Sequence, residues 1–439
     1  MSKRPLPTQS PKERAFLIGV EIAGDQGLLA LEDSLAELSL LADTAGLSVV
    51  GQATQRLQHP DPKTFLRSGK VQEVRDLVEE SMADIVLFDD ELSPRHQREL
   101  EKIFGDVRIL DRSALILDIF AQHAITREGT LQVELAQYEY LLPRLTRAWT
   151  HLARQAGGGG GRAGSVGGVG LRGPGETQLE VDRRVIRQRI SHIRGELEKV
   201  RQHRSQYRRR RRRADIPTIA LVGYTNAGKS TLLNYLSNSD VYVADQLFAT
   251  LDPTTRRIEL PSRRHVLMTD TVGFIQKLPP TLVAAFRATL EEIADADMLL
   301  HVVDIAHPSA CAQERVVRET LEEIGAQDLP VVTALNKIDL LPNRKIAPDH
   351  LDEFERGIAI SAISGEGIAT LLSVIEEEMY ERLSPITVKL PYKEGKLISM
   401  FHEQGVVESI EHSDSTVLIR GRLPSRLLTD FAPYKAKEA

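Results

Sequence analysis

One cysteine, Cys311, stands in 439 residues, so an intramolecular disulfide is excluded and a cysteine-built zinc cluster lacks its thiols. Apolar runs of about 18 residues or more are missing, and residues 1–14 are polar and proline-spotted rather than a leader with an apolar centre. Neither membrane insertion nor secretion is expected, and a cytosolic chain fits. What is present is 41% hydrophobic and 27% charged, the balance of a soluble globular protein. The length is too great for one ordinary domain, and about two to four are expected.

The net charge of −6 conceals an asymmetry. Residues 172–213 hold 15 Lys/Arg against 5 Asp/Glu, a local +10, which leaves −16 for the remainder. Such a segment points to an anionic partner. Glycine is as unevenly spread: residues 157–175 contain 11 of the 30. A tract of this kind buries too little surface to offset its ordering entropy, so mobility is expected there, and it divides the chain into unlike parts.

Upstream of the tract, short strands are expected at 15–21, 47–55, 84–89 and 107–110, alternating with helical patterns at 31–45, 70–81, 94–104 and 113–124. Strands alternating with helices imply a small α/β domain with a mainly parallel sheet. Leu131, Leu135, Tyr138, Leu142, Leu145 and Trp149 then recur at helical spacing, with Pro143 expected to kink the helix. Beyond the tract Ile186, Ile190, Ile193, Leu197 and Val200 repeat in the same way, so two long helices should pack together with the glycine loop near their tip. After residue 213, strands at 218–222, 257–260, 266–270, 299–304, 331–336 and 358–361 describe a doubly wound sheet. The tail from Ile386 reads as a small α+β appendage. The expected division is 1–125 for the N-terminal α/β domain, 126–213 for the helical hairpin with its glycine-rich loop and arginine-rich end, 214–385 for the doubly wound domain and 386–439 for the appendage.

The chemistry lies in the third part. Gly223, Tyr224, Thr225, Asn226, Ala227, Gly228, Lys229 and Ser230 fit G-x-x-x-x-G-K-[ST] directly after an apolar strand and before a helix. Glycines let successive N–H groups turn around a phosphate, Lys229 can reach the β- and γ-phosphates, Ser230 can ligate Mg²⁺, and the helix N-terminus adds a favourable dipole. Three further motifs follow in order. In Asp270, Thr271, Val272 and Gly273, the aspartate can hold Mg²⁺ through water and the Gly273 N–H can meet the γ-phosphate. Asn336, Lys337, Ile338 and Asp339 end another strand; the Asp339 carboxylate accepts from the guanine N1–H and N2–H₂, donors that adenine lacks. Ser361, Ala362 and Ile363 can supply a backbone N–H to the guanine oxygen. Single short motifs mean little, but four in order at strand ends identify a P-loop GTPase domain. Between the first two motifs lie Phe248, Ala249, Thr250, Leu251 and Asp252. A switch threonine here should ligate Mg²⁺ while γ-phosphate is present. Thr250 is favoured over Thr254 and Thr255, which read as an exposed turn beside Pro253. Lys229, Thr250 and Gly273 are the candidates to act on the γ-phosphate.

With these motifs in place, the chain resembles the HflX family of translation-associated GTPases, relatives of the Obg proteins. The stretches 111–120, 128–136 and 173–180 look like that family's N-terminal and helical regions, and 248–252 looks like its switch I. The match runs from about residue 15 to 385; the tail carries no motif that matches equally. The resemblance implies GTP/GDP and Mg²⁺ at the motifs above, with Ser230 and Thr250 as ligands. It further implies binding of the 50S subunit and the 70S ribosome through an N-terminal ribosome-binding unit, and separation of stalled or idle ribosomes into subunits, notably under stress. A cytoplasmic protein is expected, partly ribosome- or membrane-surface-associated and monomeric when free. An assembly scaffold for the large subunit using GTP for timing, or an ATP-dependent remodeller of rRNA, are the alternatives.

Other features divide between functional and plain structural readings. Arg208, Arg209, Arg210, Arg211, Arg212 and Arg213 cannot all be spaced apart on one helix face, and their self-repulsion asks for counter-charge. Ribosomal RNA would supply it, with counterion release. The glycine tract suits either a plain linker or a loop entering a narrow RNA-lined cavity. Ser68-Gly69-Lys70 lacks the first glycine of a phosphate loop and reads as a helix start. Asp89, Asp90 and Glu91 read as a loop leading to a helix near Ser93, His265 and His301 as packing residues within strands, and Cys311 as a residue near a helix start. Phe274 occupies the position after D-x-x-G where many GTPases carry a water-orienting glutamine.

Overall fold

The structure, a computed structural model, describes residues 12–24, 29–145, 178–213, 216–237, 247–248, 253–277, 293–342, 354, 357–379, 384–413, 415–423 and 427–436. The glycine tract, Trp149 and residues 249–252 lie outside them.

The N-terminal region runs β1 (Arg14–Ile22), α1 (Leu31–Thr44), β2 (Ser48–Leu57), α2 (Ser68–Ser81), β3 (Ile85–Phe88), α3 (Pro94–Phe104), β4 (Arg108–Asp111) and α4 (Arg112–His123). Its four strands are all parallel in the order β2-β1-β3-β4. Alternation in β1 explains the layering. Leu17 faces Leu35, Leu38 and Ile116 of α1 and α4, whereas Phe16 and Ile18 face Val74 of α2 and Leu100 of α3. Helix starts carry local signals: the Ser93 hydroxyl accepts from the His96 N–H at 3.2 Å ahead of Pro94, and the Asp111 carboxylate accepts from the Ala114 N–H at 2.9 Å.

Helix α5 (Arg127–Leu141) stops before Pro143 and passes into a 3₁₀ turn at Leu142–Arg144. The expected kink is therefore a terminus, because proline cannot donate the bond that would continue the helix. Arg144 seals this end: buried, it lies 3.6 Å from the Tyr140 ring centroid and donates to the Leu92 carbonyl at 2.6 Å. Helix α6 (Gln178–Arg213) contains the arginine run. It packs antiparallel on α5 through Leu135, Ile190 and Ile193, flanked by Arg127–Glu196 at 2.7 Å and Arg189 forked onto Glu134 at 2.9 and 3.1 Å.

Next come β5 (Thr218–Val222), α7 (Lys229–Ser237), β6 (Thr254–Glu259), β7 (His265–Asp270), β8 (Met298–Asp304), α8 (Ala310–Glu323), β9 (Val331–Asn336), β10 (Ile358–Ala359) and α9 (Ile368–Met379). The sheet order is β10-β9-β8-β5-β7-β6, parallel except for β6, which runs antiparallel to β7. Thr254 and Thr255 correct the expected exposed turn: they open β6, and the Thr255 hydroxyl is 3.0 Å from that of Thr269.

The last unit is a three-stranded antiparallel sheet, β11-β13-β12, of β11 (Ser384–Pro391), β12 (Val406–His412) and β13 (Thr416–Leu423). Helices α10 (Gly395–Gln404) and α11 (Leu428–Phe431) cover it, with Phe401 edge-on to Phe431 at 5.6 Å. β11 begins ahead of the boundary expected at 386. One apolar cluster joins the first and third units, from Leu38, Ile116 and Phe120 to Tyr224, Phe248 and Phe274. No helix among the described residues is long and apolar enough to cross a membrane.

Candidate nucleotide-binding site

Strand β5 sits at the centre of its sheet, with Ile219 and Leu221 buried on one face and Ala220 and Val222 on the other. It delivers the loop 223–228 at its carboxyl end, where doubly wound sheets bind ligands. Two glycines there are sterically required. Gly223 has φ 150° and a Cβ on it would run into the Val302 carbonyl; Gly228 has φ 94° and a Cβ would meet the Asn336 amide. Lys229 is buried, and its Nζ donates to the Gly223 and Tyr224 carbonyls at 3.0 and 2.8 Å. Burial pushes its ammonium down to about 8, against the pull of Asp270. The Thr225 hydroxyl is buried with no hydrogen-bond partner among the described residues. A lysine folded over its own loop beside an orphaned hydroxyl is a ready set of donors for phosphate oxygens.

The Ser230 hydroxyl donates to Asp270 Oδ2 at 2.6 Å. One hydroxyl and one carboxylate, both hard oxygen donors, suit Mg²⁺ completed by phosphate and water. Thr271 Oγ1 donates to the Leu221 carbonyl at 2.6 Å, and Phe274 is zipped to the loop, its N–H donating to Gly223 at 3.1 Å and its carbonyl accepting from Thr225 at 2.8 Å. The Phe274 ring is buried in the shared apolar cluster and cannot orient water.

The base-side residues converge as the motifs require. Asn336 ties the site together: its Nδ2 donates to Ala227 and its Oδ1 accepts from the Ala362 N–H, both at 2.9 Å. Lys337, at φ 65°, forms an ion pair with Asp304 at 2.8 Å. Asp339 lies in a 3₁₀ turn, half-buried, and its carboxylate makes no hydrogen bond among the described residues. Of the last motif, the Ser361 N–H is taken by Glu366 and the Ala362 N–H by Asn336. The Ile363 N–H is thus the one of the three left for a base oxygen among the described residues. Ala249, Thr250, Leu251 and Asp252 lie outside the described residues, and α6 carries Arg208 to Arg213 as helix. Ser68-Gly69-Lys70 opens α2, where Lys70 pairs with Glu73 at 2.7 Å. Cys311 is the second residue of α8. His301 is buried in β8, its imidazole pushed down to about 4 by burial and by nearby Lys229 and Arg318.

Sequence reasoning missed the face that covers this site. Asp89 is fully buried at the end of β3 and pairs with Arg112 at 2.7 Å, while Arg112 also bonds Glu37. Burial pushes the Arg112 guanidinium down to about 10. Glu37 accepts from the phosphate-loop Tyr224 hydroxyl, itself pushed up to about 12 by burial. The Gln276 N–H donates to the same hydroxyl at 3.1 Å, and its side chain donates to Ser34 at 2.7 Å. Lys277 donates to Asp89 and Asp90, both at 2.6 Å; burial alone would lower its pKa, but the two carboxylates outweigh it and hold it raised. Phe248 presents its ring to Phe120 of α4 at 4.7 Å, edge to face. The signal available in sequence was Asp89-Asp90 at an apolar strand end, with no means of locating a cation 187 residues away.

Comparison with known proteins agrees with this site. Family models match in series: the GTP-binding GTPase N-terminal region over 32–121, the GTP-binding GTPase middle region over 123–211, a 50S ribosome-binding GTPase over 218–337 and the HflX C-terminal domain over 349–430. The last match lies largely on the tail that carried no recognisable motif. The GTPase HflX of Escherichia coli is 43% identical over 94% of this chain and 94% of its own length. That of Alkalihalophilus pseudofirmus is 44% identical over 95% and 98%, and that of Magnetococcus marinus 45% over 91% and 90%. A solved GDP complex of SsGBP is 25% identical, with TM-score 0.47, covering 84% of this chain and 98% of that one. Identity of this order along nearly the whole of both sequences, with the four guanine-nucleotide motifs converging in space, means that the chain belongs to the HflX family and is a GTPase.

Proposed function

We propose that this GTPase associates with the large ribosomal subunit in the cytoplasm and uses GTP to separate stalled or idle 70S ribosomes into subunits. The observation that carries the reading is the continuous family match, including a ribosome-binding GTPase over 218–337. The +10 balance of residues 172–213 supports rRNA as the counter-charge. At the site, Lys229 would neutralise the β- and γ-phosphates, Gly273 would donate its N–H to the γ-phosphate, and Ser230 and Thr250 would hold Mg²⁺, with Asp270 acting through water. Bound there, Mg²⁺ supplies charge neutralisation for phosphoryl transfer. Asp339 selects guanine.

Sedimentation of 70S ribosomes with the protein and GTP, GDP or a non-hydrolysable GTP analogue tests this. Conversion of 70S to 50S and 30S peaks is expected with GTP and the analogue; intact 70S accompanied by immature particles in depleted cells would replace it with an assembly role. Because Phe274 cannot orient water, turnover of the isolated protein is expected to be slow and to rise with ribosomes, in other GTPases by up to about 10⁵-fold with a partner. Replacing Arg208–Arg213 by glutamine should flatten the salt dependence of ribosome binding, by roughly 0.9 in slope for each phosphate no longer neutralised, with GTP affinity unchanged.

A further inference from the structure

The base end of the site rests on a turn that closes on itself. The Ser361 N–H donates to the Glu366 carbonyl at 3.0 Å, and the Gly365 N–H donates to the Ser361 carbonyl at 2.8 Å. The Ser364 N–H donates to the Ser361 hydroxyl at 3.1 Å. Ile363 is left exposed at the tip. On the sheet side the turn is fixed by Asn336, which accepts from the Ala362 N–H.

The opposite side is covered by Tyr235 of α7. Gly365 holds φ 81°, and a Cβ built on it would run into the Tyr235 hydroxyl and lie 2.5 Å from its Cζ. The phenol thus fills the space that a side chain at 365 would need. Packing of the core does not explain this tyrosine. It is 44% exposed and joins no apolar cluster, and its hydroxyl makes no hydrogen bond among the described residues. Its position along α7 does explain it. The helix begins at Lys229, and Tyr235 stands six residues on, about 9 Å along the axis. One short helix therefore presents its first turn to the phosphates and its second to the turn beneath the base.

We propose that Tyr235 is a positioning residue for guanine. By bracing Gly365, it holds the Ile363 N–H at the distance from the phosphate loop that the 6-oxo group of the base requires. Without the ring, the turn is fixed on the Asn336 side alone and the donor is free to withdraw. The brace rests on the guanine reading of the site and needs no ribosome.

The test is competition binding on the full chain, with a fluorescent GDP displaced by three diphosphates. GDP has the 6-oxo and 2-amino groups, IDP has the 6-oxo group alone, and 2-aminopurine riboside diphosphate has the 2-amino group alone. Tyr235→Ala is expected to weaken GDP and IDP alike, by about three- to ten-fold, the worth of one hydrogen bond. The 2-aminopurine nucleotide should move less than about two-fold. Tyr235→Phe keeps the ring and should stay within about two-fold of the parent for all three, and Tyr235→Leu serves in place of alanine if that variant folds poorly. Equal weakening of all three nucleotides, as from a general loosening, overturns the proposal, and so does undiminished GDP affinity. A changed ratio of GDP to IDP overturns it as well, since it would move the effect to Asp339. A parent protein that fails to prefer GDP over the 2-aminopurine nucleotide would instead end the guanine reading itself, and the brace with it.

Discussion

The carboxyl ends of the parallel strands of two sheets meet in this chain and are put to different uses. In the GTPase unit, β5 leads into Gly223 and β7 and β9 end in Asp270 and Asn336, which line the candidate nucleotide site. In the N-terminal unit, β3 and β4 end beside Asp89 and Arg112, and the corresponding crevice is filled by Tyr224, Gln276 and Lys277 from the other unit. Such crevices are where α/β sheets bind ligands. One sheet keeps the place for a nucleotide; the other receives a segment of its neighbour. Topology thus supplies a location, and the side chains at the strand ends decide what occupies it.

That contrast can be tested, beginning with the largest effect. Arg112→Ala leaves Asp89 and Glu37 buried without their shared guanidinium, and removing one partner of such a group costs about 3–5 kcal/mol. A large fall in the thermal midpoint is expected in differential scanning calorimetry, with guanine selectivity retained by the folded fraction. Next is the buried histidine of the GTPase sheet. His301 is held near 4 when folded and lies at 6.5 when unfolded, so only the unfolded chain takes up the proton between those values. Stability is then full above about pH 6.5 and declines by about 3 kcal/mol as pH falls to 4. Denaturant unfolding at pH 7 and pH 5 should show the decline, and His301→Leu should remove it.

At the base site, Asp339→Asn replaces a charged acceptor by an amide able to donate. A loss on the order of thirtyfold or more in GTP affinity is expected, with xanthosine nucleotides favoured; equal GTP affinity in titration calorimetry would undo the assignment. The smallest effect concerns Asp304→Asn, which frees Lys337 from a partly exposed pair. A change of about two- to five-fold in GDP dissociation constant is expected, the range of such pairs.

What could be read in the sequence was whatever is encoded locally. The phosphate loop is a strand, a glycine turn and a helix close together in the chain, so spacing alone locates it. Ser93 with Pro94 marks the start of α3 for the same reason. The contacts of Tyr224 with Glu37 and of Lys277 with Asp89 lie 187 and 188 residues apart and leave no periodicity in either partner. Asp89 consequently read as a loop residue although it is fully buried. Pro143 announced an interruption but not its form, since the missing N–H is compatible with a bend or an end, and here a 3₁₀ turn closes the helix at Leu142–Arg144. β11 escaped notice although the buried Ile386, Val388 and Leu390 alternate with Thr387 and Lys389 in the pattern of a half-buried strand.

Helix α6 is 36 residues long, or about 54 Å, and only four residues separate its end at Arg213 from β5 at Thr218, the strand that leads into the phosphate loop. Pivoted at its GTPase end, a helix of this length is one long arm. A tilt of about 5° about the GTPase end carries the far end through about 5 Å, and a comparable displacement imposed there returns as torque beside the nucleotide. The salt bridges to Glu134 and Glu196 stiffen the beam along the length that α5 accompanies.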